Sequence, residues 1–346
     1  MAAGCGTAGD SSGPETRSAG AEGAEEESAG RGRSGIGSLA AGWKTDFTKH
    51  TVSLDEFTSG GPGKDGIPAI DEPRFESAED GDRWLEDKEP VIELVVGGEA
   101  RAYPLQILIW HEIVNDEVAG VPVAVTFCPL CNTALVFDRR IDGRVLDFGT
   151  TGNLRNSDLV MYDRETESWW QQFGGEAVVG ELAGTKLRLL PARIVSSGDF
   201  QDEHPDGQVL SRDTGFDRSY GQNPYVGYDD VDTPPFASVE NPDDDRLQPK
   251  ERVVFIERGG DAVAIPFPIL AEAGSLELTV GGTELEIRWQ AGARSALDHA
   301  AVAAGRDVGS VDVRSRSTGK RVAFDTPFWF AVAAFRPDVE VVRGPS

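Results

Sequence analysis

The chain has 346 residues, of which 39% are hydrophobic, with a formal net charge of −26 and a pI of about 4.5. That length and apolar content suit roughly two domains with a sizeable core, and so acidic a surface repels phosphate backbones and excludes nucleic acid as a partner. No apolar run reaches 18 residues, so no transmembrane helix is predicted.

Lysine is scarce, arginine carries most of the positive charge, and the acidic residues are spread along the whole chain. This pattern suits a halophilic protein kept soluble in high salt, where charges are screened beyond about 3 Å at 1 M. The rival reading is an acidic protein with a cationic ligand.

Ala2-Ala3-Gly4-Cys5 resembles the end of a lipoprotein signal, although no apolar region stands before it. Residues 6–38 are Gly, Ser, Ala and Glu with almost no large apolar side chain. Such a segment buries too little surface to order itself, so residues 1–42 are expected to be a flexible tether. A lipid on Cys5 is then the expected membrane anchor, and the location extracytoplasmic.

Order is expected from Trp43. Ser59 to Phe75 is dense in Gly and Pro and reads as a turn-rich arm. Val91 to Val96 and Glu99 to Tyr103 predict a hairpin closed by Gly97-Gly98, a turn that tolerates positive φ. Pro104 suits the first turn of a helix. Leu105, Leu108, Ile109 and Ile113 supply its apolar stripe, and its polar face is expected to carry His111, Glu112, Asn115 and Asp116. Val121 to Phe127 reads as a strand and leads into Cys128-Pro129-Leu130-Cys131. Ala134–Arg139 and Arg144–Phe148 read as a hairpin around Asp142-Gly143, and Leu159–Tyr162 with Trp169–Phe173 as another strand pair. Residues 213–250 are rich in Gly, Pro, Asn and Asp and read as a long connecting loop.

The stretch from Val91 to Leu108 recurs from Val253 to Leu270 at a constant offset of 162 residues. Gly97, Gly98, Ala100, Ala102, Pro104, Ile107 and Leu108 all meet identical residues there, too many to be chance. Opposite His111, Glu112, Asn115 and Asp116 stand Ala273, Gly274, Glu277 and Leu278, and opposite Cys128 and Cys131 stand Gln290 and Ala293. The scaffold positions persist while the special side chains vanish together, as expected if they form one site. The predicted fold is α+β and β-rich, with two related halves from an internal duplication. An N-terminal half, 43–212, carries the site, and a degenerate and mainly structural repeat spans 251–346.

Cys-x-x-Cys is a redox dithiol, half of a metal site, or two buried small residues. A thioredoxin-like fold needs a helix directly after the first Cys, and here a strand-like Ala134-Leu135-Val136-Phe137 follows. Cys128, Cys131 and His111, with Glu112 or His204 as a fourth donor, make the metal constellation this sequence allows. Soft thiolates favour copper, zinc or iron. Asp163, Arg164 and Gln171 form a second candidate group, with Arg164 and Gln171 lining a pocket walled by a Trp.

Taken together, WHEIVND at Trp110–Asp116, TFCPLCNTA at Thr126–Ala134, FGTTGNLRNSDLVMYDRETESWWQQ at Phe148–Gln172 and KDGIPAIDEPRF at Lys64–Phe75 resemble the domain of unknown function 3179 family. WFAVAAFRPDVEVV at Trp329–Val342 is similar to that family's C-terminal stretch. The resemblance implies a secreted or lipid-anchored prokaryotic protein and carries no established activity. Ser197 stands where the family usually shows Trp, and Phe127 where Tyr is common.

The expected function is binding of a soft metal or thiol redox chemistry at Cys128, Cys131 and His111, with Glu112 or Asp116 orienting the imidazole. The alternatives are a hydrolase or transferase with Cys128 as nucleophile and His111 as base, and a module that binds a small molecule or partner and uses its thiols structurally. Mass spectrometry of the N-terminal peptide from the native host checks the anchor. An acylated Cys5 is expected, and an unmodified Cys5 removes the idea.

Overall fold

Gly97 and Gly98 have φ of 60° and 93° and close an antiparallel hairpin between β1 (Pro90–Val96) and β2 (Glu99–Pro104). Only glycine enters that turn without a Cβ penalty. The computed structural model describes residues 39–344, and all of them fall within one compact unit. Cys5 and the tether up to residue 38 lie outside the described residues.

Pro104 caps α1 (Leu105–His111), which is seven residues long and buried on every side but Trp110. The helix stops because Glu112 turns into the left-handed region (φ 59°, ψ −28°) while its N–H donates to Leu108 O at 2.7 Å. This ends the helix earlier than its polar pattern suggests. Asn115 and Asp116 therefore lie on a strand, β3 (Ile113–Val118), not on a helical face with His111 and Glu112. On a strand alternate residues point to opposite sides, so the predicted i, i+4 pairing does not form.

β3 pairs with β4 (Val121–Cys128) across a turn at Ala119 and Gly120, both with positive φ. The Cys turn leads straight into β5 (Thr133–Asp138), where Cys128 faces Thr133 in register. No helix follows, which sets the turn apart from a thioredoxin-like arrangement. Next come β6 (Phe148–Arg155) and β7 (Asp158–Asp163), joined by Asn156 and Ser157 at φ of 54° and 57°, and then β8 (Trp169–Gln171).

The second half repeats this order. β9 (Val253–Arg258), β10 (Asp261–Pro266), α2 (Phe267–Ala273), β11 (Ser275–Val280) and β12 (Thr283–Gln290) end on the residues that the offset assigns to β1 through β4. The only start that differs is that of β9, where β1 begins one residue earlier, at Pro90. Gly259 and Gly260 reproduce φ of 60° and 93°, and Gly274 takes the left-handed position of Glu112 with the same hydrogen bond to Leu270. β12 then pairs with β13 (Ser310–Ser315) as β4 pairs with β5.

Five small sheets of three to five strands result, with few and short helices, arranged as a five-bladed, propeller-like ring. The main core is shared between the halves. Leu105, Ile107 and Leu108 of α1 belong to the same apolar cluster as Phe328 and Trp329, Ala331 and Val332 of α3 (Trp329–Phe335). A second, smaller cluster lies wholly within residues 254–324. Residues 213–250 contain no helix or strand, as expected.

Asn115 shows how the sheets are joined. Its Oδ1 accepts from Phe148 N at 3.0 Å, and its Nδ2 donates to Phe148 O and to Asp71, each at 2.8 Å. The buried amide thus pairs like a strand residue and ties β3 to β6. Asn115→Ala leaves the N–H and C=O of Phe148 unpaired and is expected to cost about 2–4 kcal/mol. Denaturant titration checks this, and a loss under about 0.5 kcal/mol would contradict the role.

Candidate metal centre

Two backbone turns bring the donors together. Cys128 ends β4, and Cys131 sits in the turn that Asn132 closes at φ 58°. Asp158 opens β7 directly after the Asn156-Ser157 turn. The Cys131 Sγ lies 2.9 Å from Asp158 Oδ1 and 3.1 Å from Thr133 Oγ1. Donor atoms of Cys128, Cys131 and Asp158 all lie within 4.8 Å of one another, and all three residues are buried. Both cysteines are free thiols.

Asp158 is held from behind. Its Oδ2 accepts from the Gln171 amide and from Phe173 N, the latter at 2.8 Å. Gln171 Oε1 in turn accepts from Arg155 at 3.3 Å, and Arg155 pairs with Glu56 at 2.6 Å. Gln171 therefore orients a donor, while Trp169 and Trp170 are core residues with no exposure.

Glu112 is a further buried acidic group, in reach of the charge of Asp158 but outside the cluster whose donor atoms lie within 4.8 Å of one another. It is 6% exposed, and its carboxylate forms no hydrogen bond or ion pair among the described residues. Burial, and then the charge of Asp158, raises its pKa from 4.5 to about 8. Burial raises Asp158 to about 6 against the hydrogen bonds it accepts. Burial also pushes both thiols up, Cys131 most, and the charges of Asp158 and Glu112 add to this at Cys128. No lysine, arginine or histidine pairs with Glu112 or Asp158 among the described residues. Burial raises the phenols of Tyr225 and Tyr228 of the long loop, and the charges of Glu112 and Cys128 at Tyr225 and of Cys128 and Cys131 at Tyr228 raise them further.

Glu112 is one of nine described non-glycine residues with positive φ. A non-glycine residue in the left-handed region costs of order 1–3 kcal/mol. The matching position, Gly274, uses glycine.

His111 does not join this group, which corrects the sequence expectation. Its Nδ1 is 2.7 Å from Pro68 O and its Nε2 2.6 Å from the Tyr220 hydroxyl. Burial lowers its pKa. The small number of histidines suggested it as the third ligand beside the two thiols, but the helix ends at His111 and the chain turns at Glu112. Asp116 accepts from Arg101 at 2.5 Å and from Tyr103 at 2.6 Å, and does not orient the imidazole.

Asp163 and Arg164 are also elsewhere. β7 separates Asp163 from Asp158 by five steps, about 17 Å of strand. Asp163 staples its own turn through Thr166 and Trp170, and Arg164 pairs with Asp71 at 2.6 Å. His204 lies beside Glu93 and Glu203, a second cluster of possible ligands. Arg193 and Arg321 bracket those two carboxylates with ion pairs, so that cluster is already neutralised. Sequence reasoning missed Asp158 as a donor. Its one signal was its place at the head of the unusual stretch Asp158–Gln172.

In the metal-free chain Glu112 keeps its proton up to about pH 8, whereas unfolded it loses it near 4.5. Between those values the folded state holds the extra proton, so stability falls as pH rises. Calorimetry of chelator-treated protein is expected to show Tm falling between about pH 5 and 8, more steeply than in Glu112→Gln. Parallel profiles for the two proteins would contradict the assignment.

No curated protein and no solved structure matches the chain. The model of the family described as "Protein of unknown function (DUF3179)" matches residues 64–339, which takes in Cys128, Cys131, Asp158 and Glu112 as well as most of both halves, and the chain belongs to that family.

Proposed function

We propose that this is an extracytoplasmic protein that binds a transition-metal ion through Cys128, Cys131 and Asp158, with Glu112 as the fourth donor. The observation that carries this reading is a buried set of two thiols and the Asp158 carboxylate, donor atoms within 4.8 Å of one another, with Glu112 in reach of its charge and no cation paired to it among the described residues. Ionised together, such groups repel strongly in a low-dielectric space. A bound cation removes the repulsion and displaces the protons. The donor chemistry fits a metal, and the unpartnered Glu112 carboxylate is oriented by no other group.

The mixture of soft thiolates with carboxylates suits zinc or iron better than copper(I). Gln171 and Phe173 N fix the Asp158 carboxylate, as outer partners of metal ligands commonly do. We further infer that the two halves derive from one duplicated unit, in which Gly274, Gln290 and Ala293 mark the loss of the site from the second copy. The composition of residues 6–38 and the Cys5 context support a lipid-anchored location.

The alternative with Cys128 as nucleophile and His111 as base is weakened by three observations. Both thiols are buried, their pKa is raised, and the imidazole is committed to Pro68 and Tyr220. A reactive thiol needs the opposite environment. The adjacency of Cys128 and Cys131 as free thiols is what supports a thiol-redox role as the second reading.

Protein purified without chelator is expected to hold about one metal ion per chain by elemental analysis. Cys128→Ser, Cys131→Ser and Asp158→Asn should each lose it, Gln171→Ala should weaken it by about 10–100-fold, and His111→Ala should leave it in place. A chain that takes up neither zinc nor iron would overturn the reading, as would a loss confined to His111→Ala.

A further inference from the structure

A cleft of about 380 Å³ opens beside Phe173, a volume in the range of small-molecule sites. Its walls are largely apolar, with Leu135, Phe173, Leu189, Phe255 and Phe324 among them. The rings of Phe173 and Phe255 lie 5.3 Å apart. The cleft is separate from the thiols but shares structure with them. Phe173 N donates to Asp158, and Phe328 N donates to Cys131 O at 2.8 Å just beyond Asp325 and Thr326.

The carboxylate of Glu257 also lines the cleft, already paired with Arg336 at 3.0 Å, and two further polar features interrupt the apolar lining. The first is Asp325, 5% exposed. Its Oδ1 accepts from Ala134 N at 3.0 Å and Thr326 N at 2.8 Å, while its Oδ2 is buried with no hydrogen-bond partner. A buried oxygen left so costs about 1–3 kcal/mol, a cost that a ligand's donor would remove. The second is a pair of exposed cations, Lys186 and Arg258. Neither forms an ion pair among the described residues, although the chain carries a net charge of −26. Arg258 has one side-chain hydrogen bond, to Thr283 at 2.8 Å.

We propose that this cleft binds a small organic acid with a flat apolar body and a hydroxyl or amine at its far end. The acid group pairs with Lys186 and Arg258 at the mouth. The body lies against Phe173 and Phe255, and the hydroxyl or amine donates to Asp325 Oδ2. This site does not depend on the metal centre.

The test is calorimetric titration of the full chain with 4-hydroxyphenylacetate and with phenylacetate, in zinc-loaded and in chelator-treated protein. Saturable binding of 4-hydroxyphenylacetate is expected, with phenylacetate weaker by about tenfold for want of the donor. Ala323→Trp, which fills the cleft, should abolish binding. The double variant Lys186→Glu, Arg258→Glu, which changes only exposed side chains, should weaken it about tenfold with an unchanged Tm. Asp325→Asn should erase the preference for the hydroxylated probe. No heat up to about 10 mM probe, or equal binding by Ala323→Trp and the charge-reversed pair, would overturn the proposal. Binding that persists in protein unable to take up metal would leave this site standing and remove the metal reading alone.

Discussion

Two thiols and a carboxylate share one buried space, with Glu112 in reach of their charge and no counter-charge paired to them among the described residues, and much of the surrounding chain serves to keep them there. Glu112, Cys128, Cys131 and Asp158 come from three separate backbone turns, each with a non-glycine residue at or next to the turn in the left-handed region. Such a set is stable in two ways only, with its protons retained or with a cation bound. The raised pKa values of both carboxyl groups are the first state seen from the protein's side, and the proposed metal centre would be the second.

The scaffold holds the donors rigidly. Register between β4 and β5 fixes the Cys turn, and the register between β6 and β7 fixes Asp158. Ser157 exchanges hydrogen bonds with Ala237, and Glu240 N donates to Asn156, so the long loop is fastened over the turn that precedes Asp158. From the other half, Asn132 donates to Thr326 O and Ala134 to Asp325. The C-terminal residues thus have a part of their own at the Cys turn. They close the back of the Cys turn and shape the cleft beside it.

A good part of this was readable from residues alone. Gly97-Gly98 announced its hairpin, the Cys-x-x-Cys turn pointed to a buried group that could hold a metal, and the constant offset from Val91 pointed to a later run of elements with matching bounds. The errors share a physical cause. Helical periodicity carried past Glu112 because a glutamate in the left-handed region leaves no local mark, as Gly274 would have. Asn115 looked like a site residue because a buried amide that replaces strand pairing and one that meets a ligand have the same sequence. Asp158 was missed, and His111, one of few histidines, favoured, because closeness to the cysteines through a neighbouring sheet is invisible along the chain. The cleft was invisible for the same reason, its lining being drawn from Leu135, Phe173, Lys186, Phe255 and Phe324.

X-ray absorption at the metal edge of zinc-loaded protein addresses the central assignment most directly. The account predicts two sulfur ligands at about 2.3 Å with oxygen completing the shell. It also predicts no outer scattering from an imidazole ring. A spectrum with a histidine signature, or one without sulfur, would contradict it.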